Sequence, residues 1–181
     1  MKAKLIVLFC FIALGVQAQK VHWYSMSEAL ALQASSEQPK KLFIDVYTDW
    51  CGPCKMLEKN TFQNPDVAEY LNTHFYPVKF NAEGNDEFVY KGKSFANPNY
   101  RHSYRGRNSR HQFCRKFNIS GYPTMLFLDE GANKILPLSG YYSPRELEVY
   151  LKYVATDDYI KINTQESFTQ YKQNFKGTFK D

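Results

Sequence analysis

Two cysteines three positions apart are the residues of this 181-residue sequence whose types and spacing suggest chemistry first. Cys51 and Cys54 flank Gly52 and Pro53, and the residues after Cys54 are good helix formers, which predicts a helix that begins at Cys51. Thiols one turn apart on the same side of a helix can form a disulfide with modest backbone adjustment. The spacing therefore predicts a pair that is reversibly oxidised.

The expected position of Cys51 at a helix N-terminus indicates which thiol reacts first. Free backbone N–H groups and the positive end of the helix dipole stabilise an anion, so Cys51 should ionise more easily than an ordinary thiol. Exposed ahead of the first turn, Cys51 would attack a partner's disulfide, and Cys54 would then attack the mixed disulfide and release the reduced partner. Gly52 would let the partner's backbone approach, and Pro53 would pre-set the first helical φ angle.

Other uses of these thiols stay open at this point. A structural disulfide is one, although the loop it closes is too small to restrict the unfolded chain much. A zinc site formed by Cys51, Cys54, His111 and Cys114 is another, and it has suitable ligand types. The buried-strand context before Cys51 and the lack of a glycine-rich knuckle around His111 speak against zinc. We therefore expect no metal and no other cofactor, and we interpret Cys114 as a buried helical thiol.

The histidines add no further chemistry. They form no recognisable catalytic set, and we predict that they are surface or loop residues: His22, His74, His102 and His111.

The elements that must position the cysteines alternate between strands and helices. Residues 42–47 form a nearly continuous apolar run, interrupted by Asp45, which is typical of a strand covered on both faces of a sheet. Strands are predicted over 42–47, 76–80, 124–128 and 135–138. The first predicted helix is capped by Ser27 and reaches about Leu32. Further helices are predicted to begin at Cys51, at Asn64-Pro65, near Phe113, at the capping box 143–146 and at Thr164, and Gly177 is the stop signal after the last of them. This order predicts an α/β fold.

One segment in the middle of the chain lacks a sustained period. Between Ala82 and Asn108, glycine, asparagine and proline interrupt the pattern, and we predict an inserted loop over residues 83–110. From Phe88 to Leu128 the chain carries eight Lys or Arg and no Asp or Glu. The inserted loop is therefore expected to be basic and aromatic.

The N-terminal residues are typical of a secretory signal peptide. Lys2 and Lys4 precede an apolar run over 5–16, and small residues allow cleavage after Ala18. The run is shorter than the roughly 20 residues that span a bilayer, and a retained short anchor is the alternative. Cleavage would lower the formal net charge from +5 to +3. This small excess of basic residues by itself implies no nucleic-acid partner. We therefore expect an exported chain, periplasmic or secreted, that is not an integral membrane protein.

The redox motif and two distant features together resemble the thioredoxin family. The resemblance rests on Trp-Cys-Gly-Pro-Cys-Lys at 50–55, on an acid six residues before Cys51, and on Gly-Tyr-Pro-Thr at 121–124, and it covers roughly residues 22–155. It implies a thioredoxin-like fold, with a central mixed sheet flanked by helices. In this reading a signal peptide (1–18) precedes a thioredoxin-like domain (19–155), which contains the inserted loop (83–110) and is followed by a C-terminal helical extension (156–181).

The resemblance also implies roles for individual residues. Cys51 would be the attacking thiolate and Cys54 the resolving thiol, while Asp45 would be the family's buried acid and Lys79 the lysine near it. Residues expected to contact substrate are Trp50, Gly52, Pro53, Tyr122 and the cis-proline Pro123. An ordinary trans turn at Pro123 is the alternative favoured by base rates, and Trp50 either shields the disulfide or simply packs.

Physical reasoning supports the role of the acid independently. A carboxyl group in an apolar strand is disfavoured as a charge, so the pKa of Asp45 should rise towards the range in which it can relay a proton for Cys54. A purely structural ion pair with Lys79 is the alternative.

The family resemblance implies a thiol–disulfide oxidoreductase, and the Gly-Pro spacer resembles the reductase branch. Its substrates would be proteins that contain disulfides. An exported reductase works in an oxidising compartment, so we expect a membrane protein as electron donor; without one the protein would act as an oxidant or isomerase. A secreted interaction module that presents the basic aromatic loop to an acidic partner is the alternative from another functional class.

Overall fold

The computed structural model describes residues 20–103 and 106–181. The predicted signal peptide at residues 1–18 lies outside the described residues, as does Arg105 of the predicted inserted loop. Within the described ranges, every helix is too short or too polar to cross a lipid bilayer.

The described chain folds as an α/β structure that contains the predicted elements in the predicted order, together with two short strands and a one-turn helix that were not predicted. The helices are α1 (Met26–Ser35), α2 (Gly52–Leu57), α3 (Pro65–His74), α4 (Gln112–Lys116), α5 (Pro144–Ala155), α6 (Asp158–Lys161) and α7 (Gln165–Asn174). The strands are β1 (Lys41–Tyr47), β2 (Phe75–Asn81), β3 (Phe88–Tyr90), β4 (Lys93–Phe95), β5 (Thr124–Leu128) and β6 (Lys134–Ser139). A π-helical turn over Glu58–Phe62 follows α2 directly.

The main sheet has the strand order β2-β1-β5-β6. β1 pairs parallel with β2, whereas β5 pairs antiparallel with both β1 and β6, so the predicted central mixed sheet is confirmed. The parallel register places Asp45 opposite Lys79. The central strand β1 therefore carries its one acid next to the only lysine of β2.

Two hydrophobic clusters cover the two faces of the sheet. Successive side chains of a strand point to opposite faces, and β1 is apolar on both, so Ile44 packs in one cluster and Phe43 in the other. The first cluster includes α4 and the β3–β4 hairpin, and the second includes α3 and α5. Burial on both faces explains why the apolar run over 42–47 shows no alternation.

Helix starts follow local capping chemistry, with one correction. The first helix is capped by Ser25 rather than by Ser27, because Ser25 has Glu28 three residues later and the two form a reciprocal capping box. Ser143 and Glu146 form the predicted box at α5, and Asn64 caps α3 with Pro65 in its first turn.

The segment 83–110 is not a loop throughout, which corrects the prediction. Residues 88–95 form a two-stranded hairpin whose turn has positive φ at Lys91 and Gly92. Phe88 and Tyr90 point inward and are buried, while Val89 is exposed. Each strand has three residues, too few for the alternation to be recognised in the sequence.

The C-terminal extension packs back on α5. The last helix ends at Asn174 with Phe175 as its C-cap, in agreement with the prediction of a helix over 164–175. The tail then passes the buried carboxylate of Glu148, which accepts hydrogen bonds from the backbone N–H groups of Thr178 and Phe179. Phe179 is buried in the second hydrophobic cluster.

Candidate active site

Cys51 and Cys54 form a disulfide at the start of α2. Cys51 is the N-cap residue, and the backbone N–H of Cys54 donates a hydrogen bond to the Sγ atom of Cys51 at 3.1 Å. A donor aimed at this sulfur from the first turn of a helix stabilises negative charge on it once the disulfide is reduced. The arrangement therefore favours Cys51 as the thiolate.

The exposure of Cys51 differs from the expectation. We predicted that Cys51 lies exposed ahead of the turn, but it is 2% exposed and Cys54 is 5% exposed, whereas Gly52 and Pro53 between them are exposed. An added Cβ at Gly52 would meet no atom within 4 Å. A partner can therefore approach over the exposed Gly52-Pro53 spacer. Because Cys51 is almost completely buried, only a group in direct contact with this surface can reach its sulfur.

The other thiol of the described chain is buried away from this pair. Cys114 is fully buried in α4, as predicted, and burial raises the pKa of its thiol to about 12. No cluster of three or more His, Cys, Asp or Glu residues that could bind a metal ion occurs among the described residues. The structure thus does not bring His111 and Cys114 to the Cys51–Cys54 pair as a zinc site would require.

The predicted acid and lysine form an ion pair inside the fold. Asp45 is 1% exposed, its Oδ2 lies 2.7 Å from Nζ of Lys79, and its Oδ1 has no hydrogen-bond partner among the described residues. Burial raises the pKa of Asp45, as predicted, and the charge of Lys79 opposes that rise only in part. The carboxyl group therefore stays protonated at a higher pH than the carboxyl group of an ordinary aspartate.

A second carboxylate shares the lysine, and the sequence analysis did not find it. Glu58 also pairs with the Lys79 ammonium, and its negative charge adds to the rise in the pKa of Asp45. Burial by itself would lower the pKa of Lys79, but the two carboxylates outweigh that effect and raise it. The helical spacing of Glu58, four residues after Cys54, is the signal that could have identified it.

A cavity of about 340 Å³ lies between Cys54 and the two residues Glu58 and Lys79 of this ion-pair cluster. Cys54, Glu58 and Lys79 line it together with the rings of Trp23 and Tyr47. The Lys79 ammonium lies 4.9 Å from the ring centroid of Trp23 and 5.0 Å from that of Tyr47. Cys54 thus shares the cavity with Glu58 and Lys79, and the buried Asp45, which does not line the cavity, is joined to it through Lys79.

The cis-proline loop lies on the other side of the redox motif. The Tyr122–Pro123 peptide bond is cis, and Tyr122 meets the ring of Trp50 edge to face at 6.1 Å between centroids. Trp50 is 44% exposed. The two loops that the family resemblance assigns to substrate contact are therefore joined by this aromatic pair.

One histidine contradicts the expectation of surface positions. His22, His74 and His102 are exposed, but His111 is fully buried. Its Nδ1 accepts the N–H of Phe113 at the start of α4, and its Nε2 lies 2.8 Å from the Asp86 carbonyl. His111 is buried because its ring satisfies two backbone groups, and it lies in the hydrophobic layer against Phe88.

Comparisons with known proteins agree with this geometry. Residues 28–155 match the family model of the thioredoxin-like domain. The thiol:disulfide interchange protein DsbD of Haemophilus ducreyi is 26% identical over 128 residues, which are 67% of this chain and 18% of that protein, so the chain spans less than a fifth of its relative's length.

Solved structures show the same fold. A thioredoxin-fold protein from Helicobacter pylori superposes with a TM-score of 0.56 at 15% identity, covering 74% of this chain and 81% of the other. A thioredoxin from Thermus thermophilus gives a TM-score of 0.54 at 20% identity, covering 78% and 90% of the two chains. With its Cys51–Cys54 disulfide at the start of α2, the chain belongs to the thioredoxin-like domain family.

Proposed function

We propose that this protein reduces disulfides of other proteins in the cell envelope, after export directed by residues 1–18. The observation that carries the proposal is the hydrogen bond from the Cys54 N–H to Sγ of Cys51 at the start of α2. It singles out one sulfur of the pair for the attacking thiolate and leaves the other, on the cavity wall, to resolve the mixed disulfide.

The proposed reaction is a two-step dithiol exchange. The Cys51 thiolate attacks one sulfur of the substrate disulfide, a mixed disulfide forms, and the other substrate sulfur leaves as a thiolate that takes up a proton. Cys54 then loses its proton and attacks Sγ of Cys51, which forms the intramolecular disulfide and expels the second substrate sulfur as a thiolate, and this thiolate takes up a proton. Two electrons pass from the protein to the substrate, and Asp45 is the proposed acceptor of the Cys54 proton.

The substrate-contacting surface is proposed from exposure and position. Gly52 and Pro53 are exposed beside the disulfide, and Trp50 and Tyr122 border it. An extended substrate segment would lie along the backbone of Tyr122, next to the buried Pro123, and over the spacer. The ion pair of Lys79 with Asp45 is proposed to hold the acid in place next to the cavity.

Continuous reduction in an oxidising compartment needs an external source of electrons. We propose a membrane protein as the donor, since the relative in Haemophilus ducreyi is a thiol:disulfide interchange protein. Without a donor the same site would work as an oxidant or an isomerase.

A trapping experiment tests the exchange reaction. The reduced Cys54→Ser variant should accumulate a mixed disulfide with an oxidised protein substrate through Cys51, and the Cys51→Ser variant should accumulate far less. With insulin and dithiothreitol, the wild type should accelerate insulin reduction and both variants should not. Equal behaviour of wild type and Cys51→Ser would refute dithiol exchange and would favour an interaction module in which the disulfide is incidental.

The direction of the reaction needs a separate measurement. Equilibration of the Cys51–Cys54 couple in glutathione buffers gives its midpoint potential. A value near that of thioredoxin, about −270 mV, supports reduction, whereas a value near about −120 mV, as for the periplasmic oxidant, supports oxidation.

A further inference from the structure

The second half of the segment 83–110 is tied to the residue that precedes the reactive cysteine. The Glu83 carboxylate accepts hydrogen bonds from Nε1–H of Trp50 at 3.1 Å and from the backbone N–H of Asn108 at 2.8 Å. The Arg107 guanidinium lies over the Trp50 ring, 4.0 Å from its centroid. Because Trp50 directly precedes Cys51, these contacts hold Arg107 at the edge of the redox motif.

A second arginine lies near the cis-proline loop. Arg110 donates from Nη1 to the carbonyl of Ile119 at 3.1 Å. Its charge also reaches Tyr122: burial raises the pKa of Tyr122 to about 12, and Arg110 acts in the opposite direction. Since Trp50 and Tyr122 are in contact, Arg107 and Arg110 flank the aromatic pair that joins the two substrate-facing loops.

Two exposed arginines lie at this edge. Arg107 and Arg110 are exposed, and neither forms an ion pair with a carboxylate in the described ranges. A third arginine, Arg101, donates from Nη2 to the Arg107 carbonyl. Two carboxylates, Asp49 and Glu83, line the same groove as Trp50 and Arg107. The hydrogen bonds that Glu83 accepts from Trp50 and Asn108 hold its carboxylate in place without removing its negative charge.

We propose that Arg107 and Arg110 are specificity-determining residues, which favour protein substrates that carry Asp or Glu beside the target disulfide. The inference rests on the proposed function, since it concerns substrates of that site. A segment whose disulfide reaches Cys51 places its flanking residues at the edge where both arginines lie. Opposite charges there attract the substrate during approach and stabilise the encounter complex, an effect that salt weakens.

Peptide disulfides test the proposal directly. Three synthetic peptides are used, each with one intramolecular disulfide and identical except that the residues flanking the cysteines are Glu, Gln or Lys. The second-order rate constant for the reduced full chain is measured by stopped flow for each peptide. At low ionic strength we expect the Glu peptide to react about fivefold faster than the Gln peptide and the Lys peptide to react slowest. At about 0.5 M salt the differences should shrink to less than about twofold.

Variants assign the preference to the two arginines. In the double variant Arg107→Gln/Arg110→Gln, the ratio of the rate constants for the Glu and Gln peptides should fall to about one. In Arg107→Glu/Arg110→Glu, the Lys peptide should react fastest. A misfolded protein could not produce this reversal. Lys134→Gln is the matched control and should keep the wild-type ratios: Lys134 is exposed, and it pairs with Leu128 at the end of β5 remote from Pro123.

Each outcome has a distinct meaning. Equal rates of the wild type with the Glu and Lys peptides, or a Glu preference that survives in the double Gln variant, overturn the assignment of specificity while leaving dithiol exchange intact. A wild type that reacts with none of the three peptides overturns the proposed function, and the inference fails with it.

Discussion

Nζ of Lys79 lies 2.7 Å from Oδ2 of Asp45 across two parallel strands, while Oδ1 of the same carboxylate has no hydrogen-bond partner in the described part of the chain. The pKa of Asp45 is raised because the cost of removing the carboxylate from water exceeds its attraction to Lys79. The Lys79 ammonium stabilises the ionised form of Asp45 less than an undivided ion pair would, because it also pairs with Glu58. The site therefore contains a carboxyl group whose ionised form is disfavoured, and Lys79 links this group to the cavity that Cys54 lines.

Asp45→Asn should slow the resolution of the mixed disulfide. The amide cannot accept the proton of Cys54, and loss of a general base costs about 10²-fold or more. Near pH 7 we expect the rate of resolution, relative to the rate of the Cys51 attack, to fall at least about tenfold. Rapid-quench separation of the mixed disulfide from free product measures both steps in one experiment. A ratio equal to that of the wild type would remove Asp45 from the mechanism and leave the structural ion pair as its role.

The same substitution should stabilise the folded protein at alkaline pH. The pKa of Asp45 is raised in the folded state, so between its ordinary value and the raised value the folded protein binds more protons than the unfolded chain. The free energy of unfolding of the wild type therefore falls as the pH rises through this window, and Asn removes that loss. We therefore expect Asp45→Asn to have a larger free energy of unfolding than the wild type at pH 8.

Urea unfolding of the oxidised proteins at pH 8 and pH 4 measures this effect. The difference between variant and wild type should be smaller at pH 4, because the wild-type carboxyl group then carries less charge than at pH 8. Asp49→Asn, at an exposed position, should change the free energy of unfolding by less than about 0.5 kcal/mol. A variant less stable than the wild type at pH 8 would show that the pairing with Lys79 outweighs the cost of burial.

Glu58→Gln should lower the pKa of Asp45. The substitution removes a negative charge that raises this pKa, and it frees Lys79 to interact with Asp45 alone. The acid limb of the pH–rate profile for resolution should therefore move to lower pH. Asp49→Asn, which removes a carboxylate from the same cavity wall without contact to Lys79, is the control and should leave the limb in place. An unchanged limb or a shift to higher pH in Glu58→Gln contradicts the assignment.

Gly177→Ala should loosen the C-terminal tail. A Cβ atom at this position would lie 2.6 Å from Oε2 of Glu148, and that carboxylate is held by the N–H groups of Thr178 and Phe179 and by Lys152. The crowding should cost about 1 to 3 kcal/mol in the free energy of unfolding. Urea unfolding measures the loss, and hydrogen exchange at Phe179 should become faster.

The control for this substitution is Gly121→Ala, because the added methyl group meets no atom within 4 Å. It should change the free energy of unfolding by less than about 0.5 kcal/mol. Equal losses in both variants would show that the cost comes from the glycine substitution itself and not from Glu148.

The sequence by itself determined the redox pair, the element order and most helix starts. These features are local: the cysteine spacing, the serine capping box at 143–146 and the Asn64-Pro65 pair act within one helical turn. The apolar run of β1 likewise predicted a strand buried on both faces, and its single acid marked Asp45. Such signals need no knowledge of distant residues.

Only the tertiary structure decided which residues surround that pair. The contact of Arg107 with Trp50 spans 57 positions and the pairing of Glu58 with Lys79 spans 21, so neither follows from a local pattern. The burial of His111 depends on packing against Phe80, and the β3–β4 hairpin depends on packing of Phe88 against Phe113. These contacts stabilise strands that are too short to show an alternating pattern in the sequence. The near-complete burial of Cys51 is likewise a property of packing, because exposure is set by what the rest of the chain places around a residue.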